Sequence, residues 1–333
     1  MFRCAFSIAS AALVALAVAS PRQGHGVELR LGGRPLELVA AEDSLWLLTC
    51  DRGCSGEARH SIGRIARVDP RSVHVTESVT VRRPQALAVD AAGVYGLDFW
   101  RGYVYRLDRV SLRTGGQLRL VLPFEIVPGD NDFLPEYVTA GEGAVWVSSD
   151  RGVVAKVDSR ATRLLATVRL PPKAPGKLAA GDGGVWVAAD LAGVYRIDPT
   201  SSRVTTRTRI SRMGRSLAVN EVMIADGEVL AVGGWAAGMV PTNTNALARI
   251  DPRSGRLEGV TPLPAGGPLA VTVGAGSLWV AHTGGSTVER IDPHTGKVVK
   301  RYRGRVGVSL AIADGQLWTI TRDGTLRRLR NSV

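Results

Sequence analysis

His282, in the segment WVAHTGG, is the side chain in this sequence best placed to act as a general base. An imidazole titrates near neutral pH, so it can take a proton from a bound substrate. The residue directly follows an apolar run centred on a tryptophan, where a strand gives way to a loop. A hydrogen-bonded structural histidine is the alternative, because the sequence supplies no clear acidic pair for it. His282 is therefore the candidate catalytic residue.

The densest acidic cluster is GDND at residues 129–132. Carboxylate and amide oxygens are the ligands that Ca²⁺ and Mg²⁺ prefer. The spacing is similar to the start of a calcium-binding loop, but the downstream acidic ligand of an EF-hand is missing. An Asx-rich turn is the preferred interpretation, so we expect no cofactor. If Mg²⁺ or Ca²⁺ is bound, Asp130 and Asp132 are the candidate ligands.

Further polar and aromatic side chains follow equivalent apolar runs or lie in insertions between them. Carboxylate, amide, guanidinium and indole groups at strand ends are typical of a binding surface held by a rigid scaffold. The sequence contains no Gly-x-Ser-x-Gly elbow, His-Glu-x-x-His motif or phosphate-binding loop. The candidate ligand-binding residues are Asp98, Trp100, Asp150, Arg151, Asp190, Trp235, Asn243, Asn245 and Arg322.

These residues are positioned by a cassette that recurs along the chain. Each copy contains an apolar run around an anchor residue, then a strand that ends in Ile-Asp-Pro or a related sequence. The anchors are 39 to 51 residues apart, and each copy offers four short runs of alternating apolar and polar residues. Four strands in about 40–45 residues are typical of one propeller blade. The seven anchors are Trp46, Tyr95, Trp146, Trp186, Leu230, Trp279 and Trp318.

The sequence therefore predicts an all-β fold, a seven-bladed β-propeller with four-stranded antiparallel blades. The seventh copy ends before its outermost strand, whereas VELRL at 27–31 precedes the first copy. Pairing this N-terminal strand with the last blade would close the ring and remove exposed sheet edges. The expected divisions are a secretory signal peptide at 1–19, a short linker at 20–26 and a single propeller at 27–333.

Three insertions fall on one face of the expected propeller. The distance from anchor to turn aspartate, which crosses the loop between the second and third strands, is 12 or 13 residues in four blades. It is 23 residues from Trp46 to Asp69 and 21 from Leu230 to Asp251. A third insertion, at 123–136, precedes the third blade. In a propeller, the loops between the second and third strands and the connections between consecutive blades lie on the same face, here called the top face. Because loops held by a rigid scaffold carry function, we expect ligands to bind there.

Residues 1–19 have the pattern of a secretory signal: one arginine, a short apolar core and an Ala-Val-Ala cleavage site. An uncleaved anchor is the alternative. We expect an exported chain that is secreted, periplasmic or associated with the cell envelope, without a membrane span after cleavage. In an oxidising compartment Cys50 and Cys54 would form a disulfide, with a two-ligand metal site as the alternative.

The chain carries a formal net charge of +12. In a cytosolic protein this would favour a nucleic acid as partner, but export and the even spread of arginines over the strands argue against one. A solvated outer face is the preferred interpretation, and attraction to polyanionic envelope polymers or phospholipid headgroups is the alternative. We expect a monomer whose partner is an unknown small molecule, an envelope polymer or a protein.

The copies GGVWVAADLAGVYRIDP, GSLWVAHTGGSTVERIDP and GAVWVSSDRGVVAKVDS resemble repeats of the virginiamycin B (streptogramin) lyase-like, NHL and YVTN group. The resemblance covers about 36–330 and implies a seven-bladed propeller. In the lyase, a histidine base and acidic ligands of magnesium open a cyclic depsipeptide ester by elimination. The resemblance would make His282 that base. The copies here end in Ser-Asp or Ala-Asp, whereas those of the lyase end in Trp-Phe-Thr-Glu.

This departure makes a binding protein the favoured function. We expect an exported propeller that binds a ligand, envelope polymer or protein partner on its top face, without catalysis. The alternative is a divalent-metal-dependent lyase or lactone hydrolase similar to virginiamycin B lyase.

Overall fold

The computed structural model describes residues 27–54, 60–121, 133–149, 151–170, 176–237, 240–264, 268–282, 287–303 and 307–329. In these residues the chain forms 29 strands and a 3-10 turn at Phe99–Arg101. The strands make seven antiparallel sheets, six of four strands and one of five. The predicted seven-bladed propeller is confirmed.

The strands of blades 1 to 3 pair in chain order, from the innermost to the outermost strand. Their short runs, rich in valine and leucine, alternate between the two faces of each sheet. Blade 1 contains β2 (Arg34–Ala41), β3 (Ser44–Arg52), β4 (Ile62–Asp69) and β5 (His74–Arg82). Blade 2 contains β6 (Pro84–Val89), β7 (Val94–Asp98), β8 (Tyr103–Leu107) and β9 (Thr114–Arg119). Blade 3 contains β10 (Pro135–Gly141), β11 (Ala144–Ser149), β12 (Val153–Asp158) and β13 (Leu164–Arg169).

Blades 4 to 6 follow the same order, and blade 5 has longer strands and one additional short strand. Blade 4 contains β14 (Leu178–Gly181), β15 (Gly184–Ala188), β16 (Val194–Asp198) and β17 (Arg203–Thr208). Blade 5 contains β18 (Ser211–Arg212), β19 (Arg215–Ala225), β20 (Glu228–Ala237), β21 (Val240–Ile250) and β22 (Leu257–Leu263). Blade 6 contains β23 (Pro268–Gly274), β24 (Ser277–His282), β25 (Thr287–Ile291) and β26 (Val298–Arg303).

Blade 7 joins the two ends of the chain. Its inner strands are β27 (Ser309–Ala313), β28 (Gln316–Ile320) and β29 (Thr325–Leu329), and its outermost strand is β1 (Glu28–Arg30). Leu29 lies opposite Leu326, and both are buried in the cluster between blades 7 and 1. The predicted closure of the ring by the N-terminal strand is confirmed.

The anchors form the buried centre of each blade. All six aromatic anchors are fully buried, and Leu230 replaces them in blade 5. Each anchor lies opposite a basic residue of the third strand, and in five blades this cation lies over the ring of a tryptophan. Seven of the basic residues therefore belong to the blades themselves: Arg67, Arg106, Lys156, Arg196, Arg249, Arg290 and Arg328.

The turn aspartates build the face opposite the top face. The Asp198 carboxylate accepts hydrogen bonds from the backbone of Ser201 at 2.6 Å and of Thr200 at 3.1 Å, and from the Ser201 hydroxyl at 2.8 Å. These hydrogen bonds, the Ser201 backbone first, hold its pKa below the usual value. Asp251 repeats the arrangement with Ser254, and Gly255 leaves the turn at a φ of +69°. These carboxylates shape turns.

Candidate functional site

The innermost strands of the seven blades surround a central channel. Its cavity has a volume of about 760 Å³, within the range of ligand pockets, about 300–1,000 Å³. Residues of β2, β6, β10, β19, β23 and β27 line it, together with Lys177 and Leu178 of blade 4. Gly233, Gly234 and Asn245 of blade 5 complete the wall.

One set of seven equivalent positions forms a layer of this channel, here called the ring. In each blade, one residue of the innermost strand pairs with the anchor, and the ring member precedes that residue by two positions. The innermost strands begin next to the loops of the top face, so the ring lies in that half of the channel. Its members are Glu37, Ala86, Tyr137, Lys177, Glu221, Ala270 and Ser309.

Glu37 links blade 1 to blade 2. Its Oε2 atom accepts a hydrogen bond of 2.6 Å from the backbone N–H of Leu87. No other hydrogen bond to this carboxyl comes from the described residues. Burial raises the pKa of Glu37 to about 7, although the Lys177 charge and the Leu87 bond act in the opposite direction. The carboxyl group therefore changes its charge near neutral pH.

Lys177 and Glu221 form an ion pair between blades 4 and 5. Their Nζ and Oε2 atoms are 2.9 Å apart, and the side chains are 43% and 20% exposed. This exposure is toward the channel, which both residues line. Burial alone would lower the pKa of Lys177, but the carboxylates of Glu221 and Glu37 raise it above its usual value. Lys177 is consequently a permanent cation.

The channel lining is rich in acidic groups, in contrast to the basic protein around it. Its lining contains the carboxyl groups of Glu37, Glu136 and Glu221 and the single ammonium group of Lys177. Burial, followed by the charge of Glu136, also raises the pKa of the Tyr137 phenol in the same layer, which keeps it neutral. With every carboxyl ionised the lining carries more negative than positive charge, whereas the whole chain has a net charge of +12.

The ring residues are not apparent from the sequence pattern. In five blades a β-bulge or irregularity shifts the pairing just before the ring position, so simple alternation does not show which side chains face the channel. A usable signal was present in RPLELVA, GKLAAG and VNEVMIA. Each of these segments has a charged residue at the position where the copies of blades 2, 6 and 7 carry alanine or serine.

His282, the candidate base, is bonded to a carboxylate. Its Nε2 atom lies 3.0 Å from Oε2 of Glu289, whose Oε1 accepts a 2.7 Å hydrogen bond from Nε of Arg301. Glu289 is buried, and the three residues cross blade 6 from the second strand to the outermost. The imidazole lies outside the set of residues that line the channel. His282 therefore has an acidic partner, Glu289, which the sequence pattern did not reveal.

Asp98, a candidate ligand-binding residue, is a buried internal partner. It accepts two hydrogen bonds of 2.8 and 2.7 Å from Nε of Arg83 and caps the 3-10 turn through the N–H of Arg101. The turn carries Trp100, which is 39% exposed and contacts Phe99 edge to face at 5.4 Å. Asp98 thus positions an exposed indole on the top face.

Trp235 and Asn245 lie together at blade 5. Trp235 packs on the core between blades 4 and 5 and lines a second cavity of about 340 Å³. Asn245 is buried and lines both this cavity and the channel. Arg212 and Arg215 lie on the edge of the second cavity, so it is bordered by positive charge.

The remaining candidates lie on loops or outside the described residues. Asp190 is exposed and pairs through its backbone with Val219. Arg151 donates a backbone hydrogen bond to the Ser149 hydroxyl, and Arg322 is exposed in the turn between β28 and β29. Asp130, Asp132, Asp150 and the side chain of Asn243 are not among the described residues.

The described ranges contain neither a cluster of metal ligands nor a membrane-spanning helix. There, no group of three histidine, cysteine, aspartate or glutamate side chains comes together to hold a metal ion. Within the same ranges, no helix is long and apolar enough to cross a membrane.

The predicted disulfide is confirmed. Cys50, in β3, and Cys54 are joined by an S–S bond of 2.07 Å with their Cα atoms 5.9 Å apart. The bond constrains the start of the blade 1 insertion on the top face. Nη1 of Arg34 donates a 3.0 Å hydrogen bond to the Cys54 carbonyl oxygen, which further fixes this loop.

The fold defines the protein as a seven-bladed β-propeller, and comparison with solved structures agrees. Hydrazine synthase of Kuenenia stuttgartiensis has a TM-score of 0.70 and 16% identity, covering 94% of this chain and all of that one. BamB of Moraxella catarrhalis has a TM-score of 0.59 and 13% identity, covering 91% and 98%. The Cps50 (Swd1) propeller domain of Myceliophteria thermophila has a TM-score of 0.65 and 9% identity, covering 90% and 98%.

Sequence comparisons add no family. No protein-family model matches the chain, and no curated protein matches it. These three solved structures share 16% identity or less with the chain, so their similarity to it is one of fold. Membership of the virginiamycin B lyase-like, NHL or YVTN group stays a prediction.

Proposed function

We propose that this protein is an exported propeller that binds a ligand at the top-face mouth of its channel, without catalysis. The observation that carries the proposal is the ring, in which Glu37 of blade 1 faces Lys177 and Glu221 of blades 4 and 5. Buried charges destabilise a fold unless they are paired, and hydrophobic residues at such positions are often as stable. Charged groups that converge on a cavity of ligand size are typical of binding sites.

Export is supported by the disulfide and by the N-terminal sequence. The Cys50–Cys54 bond would persist in an oxidising compartment, and the segment 1–19 has the composition of a secretory signal. N-terminal sequencing of protein secreted from cells that express the full chain tests this part. A mature chain beginning at Ser20 is expected, and full-length protein confined to the cytoplasm would contradict it.

Binding in the channel can be tested by closing the channel. Ala270 is a small ring residue, so Ala270→Trp should fill the lumen without removing a charged group. Val299, on outer strand β26 and 59% exposed, provides the matched control Val299→Trp. Fluorine NMR with a library of small polar fragments should detect fragments that bind both wild type and Val299→Trp. The same fragments should not bind Ala270→Trp. Identical spectra for all three proteins would contradict the proposal.

A metal-dependent lyase or lactone hydrolase remains the second candidate. It is favoured by one observation, the contact between His282 and the buried carboxylate of Glu289. A carboxylate bonded to an imidazole fixes the orientation and tautomer of the ring, as general-base catalysis requires. The metal would have to be bound by the predicted acidic ligands Asp130 and Asp132, which lie outside the described residues.

A further inference from the structure

We propose that the ligand of the channel is a small organic cation whose ammonium or guanidinium group donates hydrogen bonds to Glu37. This inference rests on the proposed function, because it names the ligand class of the same site. It is carried by the position of Glu37 within the ring and by the partners of the other charged groups.

Glu37 faces the ion pair across the channel. In a ring of seven blades, blades 4 and 5 are the two that lie opposite blade 1. Glu37 belongs to blade 1, while Lys177 and Glu221 belong to blades 4 and 5. A ligand in the lumen would therefore meet one carboxyl group on one wall and an ammonium–carboxylate pair on the other.

Of these three charged groups, Lys177 and Glu221 already satisfy each other. Their ion pair of 2.9 Å neutralises the ammonium group of Lys177, so this cation is poorly placed to hold an anionic ligand. The hydrogen bond of Glu37 comes from the neutral backbone N–H of Leu87. Among the described residues no cation lies within ion-pair distance of Glu37. The lumen thus offers an acceptor that lacks a positive partner.

The link between blades does not require a charge at this position. Ser309, the ring residue of blade 7, accepts a 3.3 Å hydrogen bond from the N–H of Leu38 in blade 1. This is the same link that Glu37 makes to Leu87, one blade further on. A neutral hydroxyl therefore serves the structural role, and the carboxyl group of Glu37 adds a charge that the fold does not need.

A bound cation would supply the missing partner. A buried carboxylate without a cation is unfavourable, which is why burial raises the pKa of Glu37 to about 7. A ligand ammonium would favour the ionised form, so binding near neutral pH should release a proton. The other titratable groups facing Glu37 across the lumen are Lys177, Glu221, Glu136 and Tyr137.

The remaining lining indicates the size and character of the ligand. Neutral polar groups of Asn220, Thr272 and Ser309 are interspersed with apolar side chains such as Val39 and Met223. This mixture suits a short carbon chain that carries one or two cationic groups. 1,4-Diaminobutane is a suitable probe, with succinate as its anionic counterpart and 1,4-butanediol as its neutral one.

Isothermal titration calorimetry with these three compounds, near pH 7 in phosphate and in HEPES buffers, tests the proposal. Wild type should bind the diamine, and its binding enthalpy should depend on the buffer because a proton is released. Glu37→Gln keeps an acceptor for Leu87, so it should fold, but it should weaken diamine binding at least tenfold and abolish the buffer dependence. Glu77→Gln, on exposed outer strand β5, is the matched control and should change neither.

Each contrary result has a distinct meaning. Equal diamine affinity in wild type and Glu37→Gln overturns the assignment of the site. Binding of succinate or butanediol but not of the diamine, lost in Ala270→Trp, overturns the ligand class and leaves the channel as a binding site. Binding of Ca²⁺ or Mg²⁺ that Glu37→Gln abolishes, with no diamine bound, likewise overturns the ligand class. No channel binder in either the calorimetry or the fragment screen overturns both proposals.

Discussion

The Glu37 carboxylate and the Leu87 backbone N–H, 2.6 Å apart, join the inner strands of blades 1 and 2. Ser309 and Leu38 make the equivalent contact between blades 7 and 1 at 3.3 Å. The position is thus part of how neighbouring blades are held together. At blade 1 it is occupied by a group that titrates near neutral pH and faces a cavity.

Glu37 should make stability depend on pH. Its pKa is raised from 4.5 to about 7 in the folded protein, so the folded state retains a proton that the unfolded state has released between these values. The stabilisation is fully present below the unfolded pKa and is lost as the pH rises through 7. Glu37→Gln cannot titrate, so between pH 5 and 8 it should gain stability relative to wild type by roughly 1–3 kcal/mol.

Urea unfolding of both proteins at several pH values measures this difference. Glu77→Gln serves as the surface control. Parallel stability curves for wild type and Glu37→Gln would show that the carboxyl group is not desolvated in the folded state.

Strand β1 should be required for stability because it completes blade 7. Leu29 is buried in the cluster between blades 7 and 1, so Leu29→Ala should destabilise the protein by about 2–4 kcal/mol. Arg30→Ala, at an exposed position of the same strand, should have little effect. Deletion of residues 20–33 should lower the melting temperature sharply or cause aggregation. An unchanged melt after the deletion would contradict closure by β1.

The Cys50–Cys54 disulfide should contribute little to global stability because its loop is short. Loop-closure entropy predicts about 2 kcal/mol at most for a loop of this size. Intact mass with and without reductant, after alkylation, should show one bridge in exported protein. The double variant Cys50→Ser/Cys54→Ser should remain folded, with faster hydrogen exchange in the loop that follows β3. Two freely alkylated thiols in exported protein would contradict this prediction.

Asp98 should contribute to the stability of the fold through its ion pair with Arg83, and not to ligand binding. The two side chains are 8% and 11% exposed and lie 2.6 Å apart at their closest oxygen and nitrogen. Arg83→Met leaves a buried carboxylate unpaired and should cost about 3–5 kcal/mol of stability. Asp98→Asn/Arg83→Met should recover part of this loss, as a double-mutant cycle of unfolding free energies would show. A stable Arg83→Met protein that has lost ligand binding would instead make Asp98 a binding residue.

His282→Ala separates the two proposed functions. For a binding protein, the substitution should keep the fold and weaken ligand binding by no more than about 1–2 kcal/mol, the scale of one hydrogen bond. For a lyase, wild type should open a cyclic ester or lactone only with Mg²⁺ or Mn²⁺. The substitution should then slow this reaction by about 10²–10⁴-fold, as removal of a general base does. Metal-dependent turnover that the variant loses would overturn the non-catalytic proposal.

The amino-acid sequence by itself determined the blades. The anchors, the alternating runs and the aspartate turns are local features, and each copy repeats them in order, so seven four-stranded sheets follow from pattern alone. Closure by residues 27–31 and the Cys50–Cys54 bridge were also accessible, because each depends on counting strands or cysteines. The anchors' basic partners explain part of the positive charge that composition alone left open.

Only the tertiary structure decided which residues share a site. Glu37, Lys177 and Glu221 are far apart in the chain, and they meet because ring closure brings equivalent positions of all blades around one axis. Bulges before Glu37 and Glu221 hide the direction of these side chains from the sequence pattern. The partners of His282 and Asp98 were hidden for a similar reason, since a strand pattern gives the face of a side chain but not the group that meets it there.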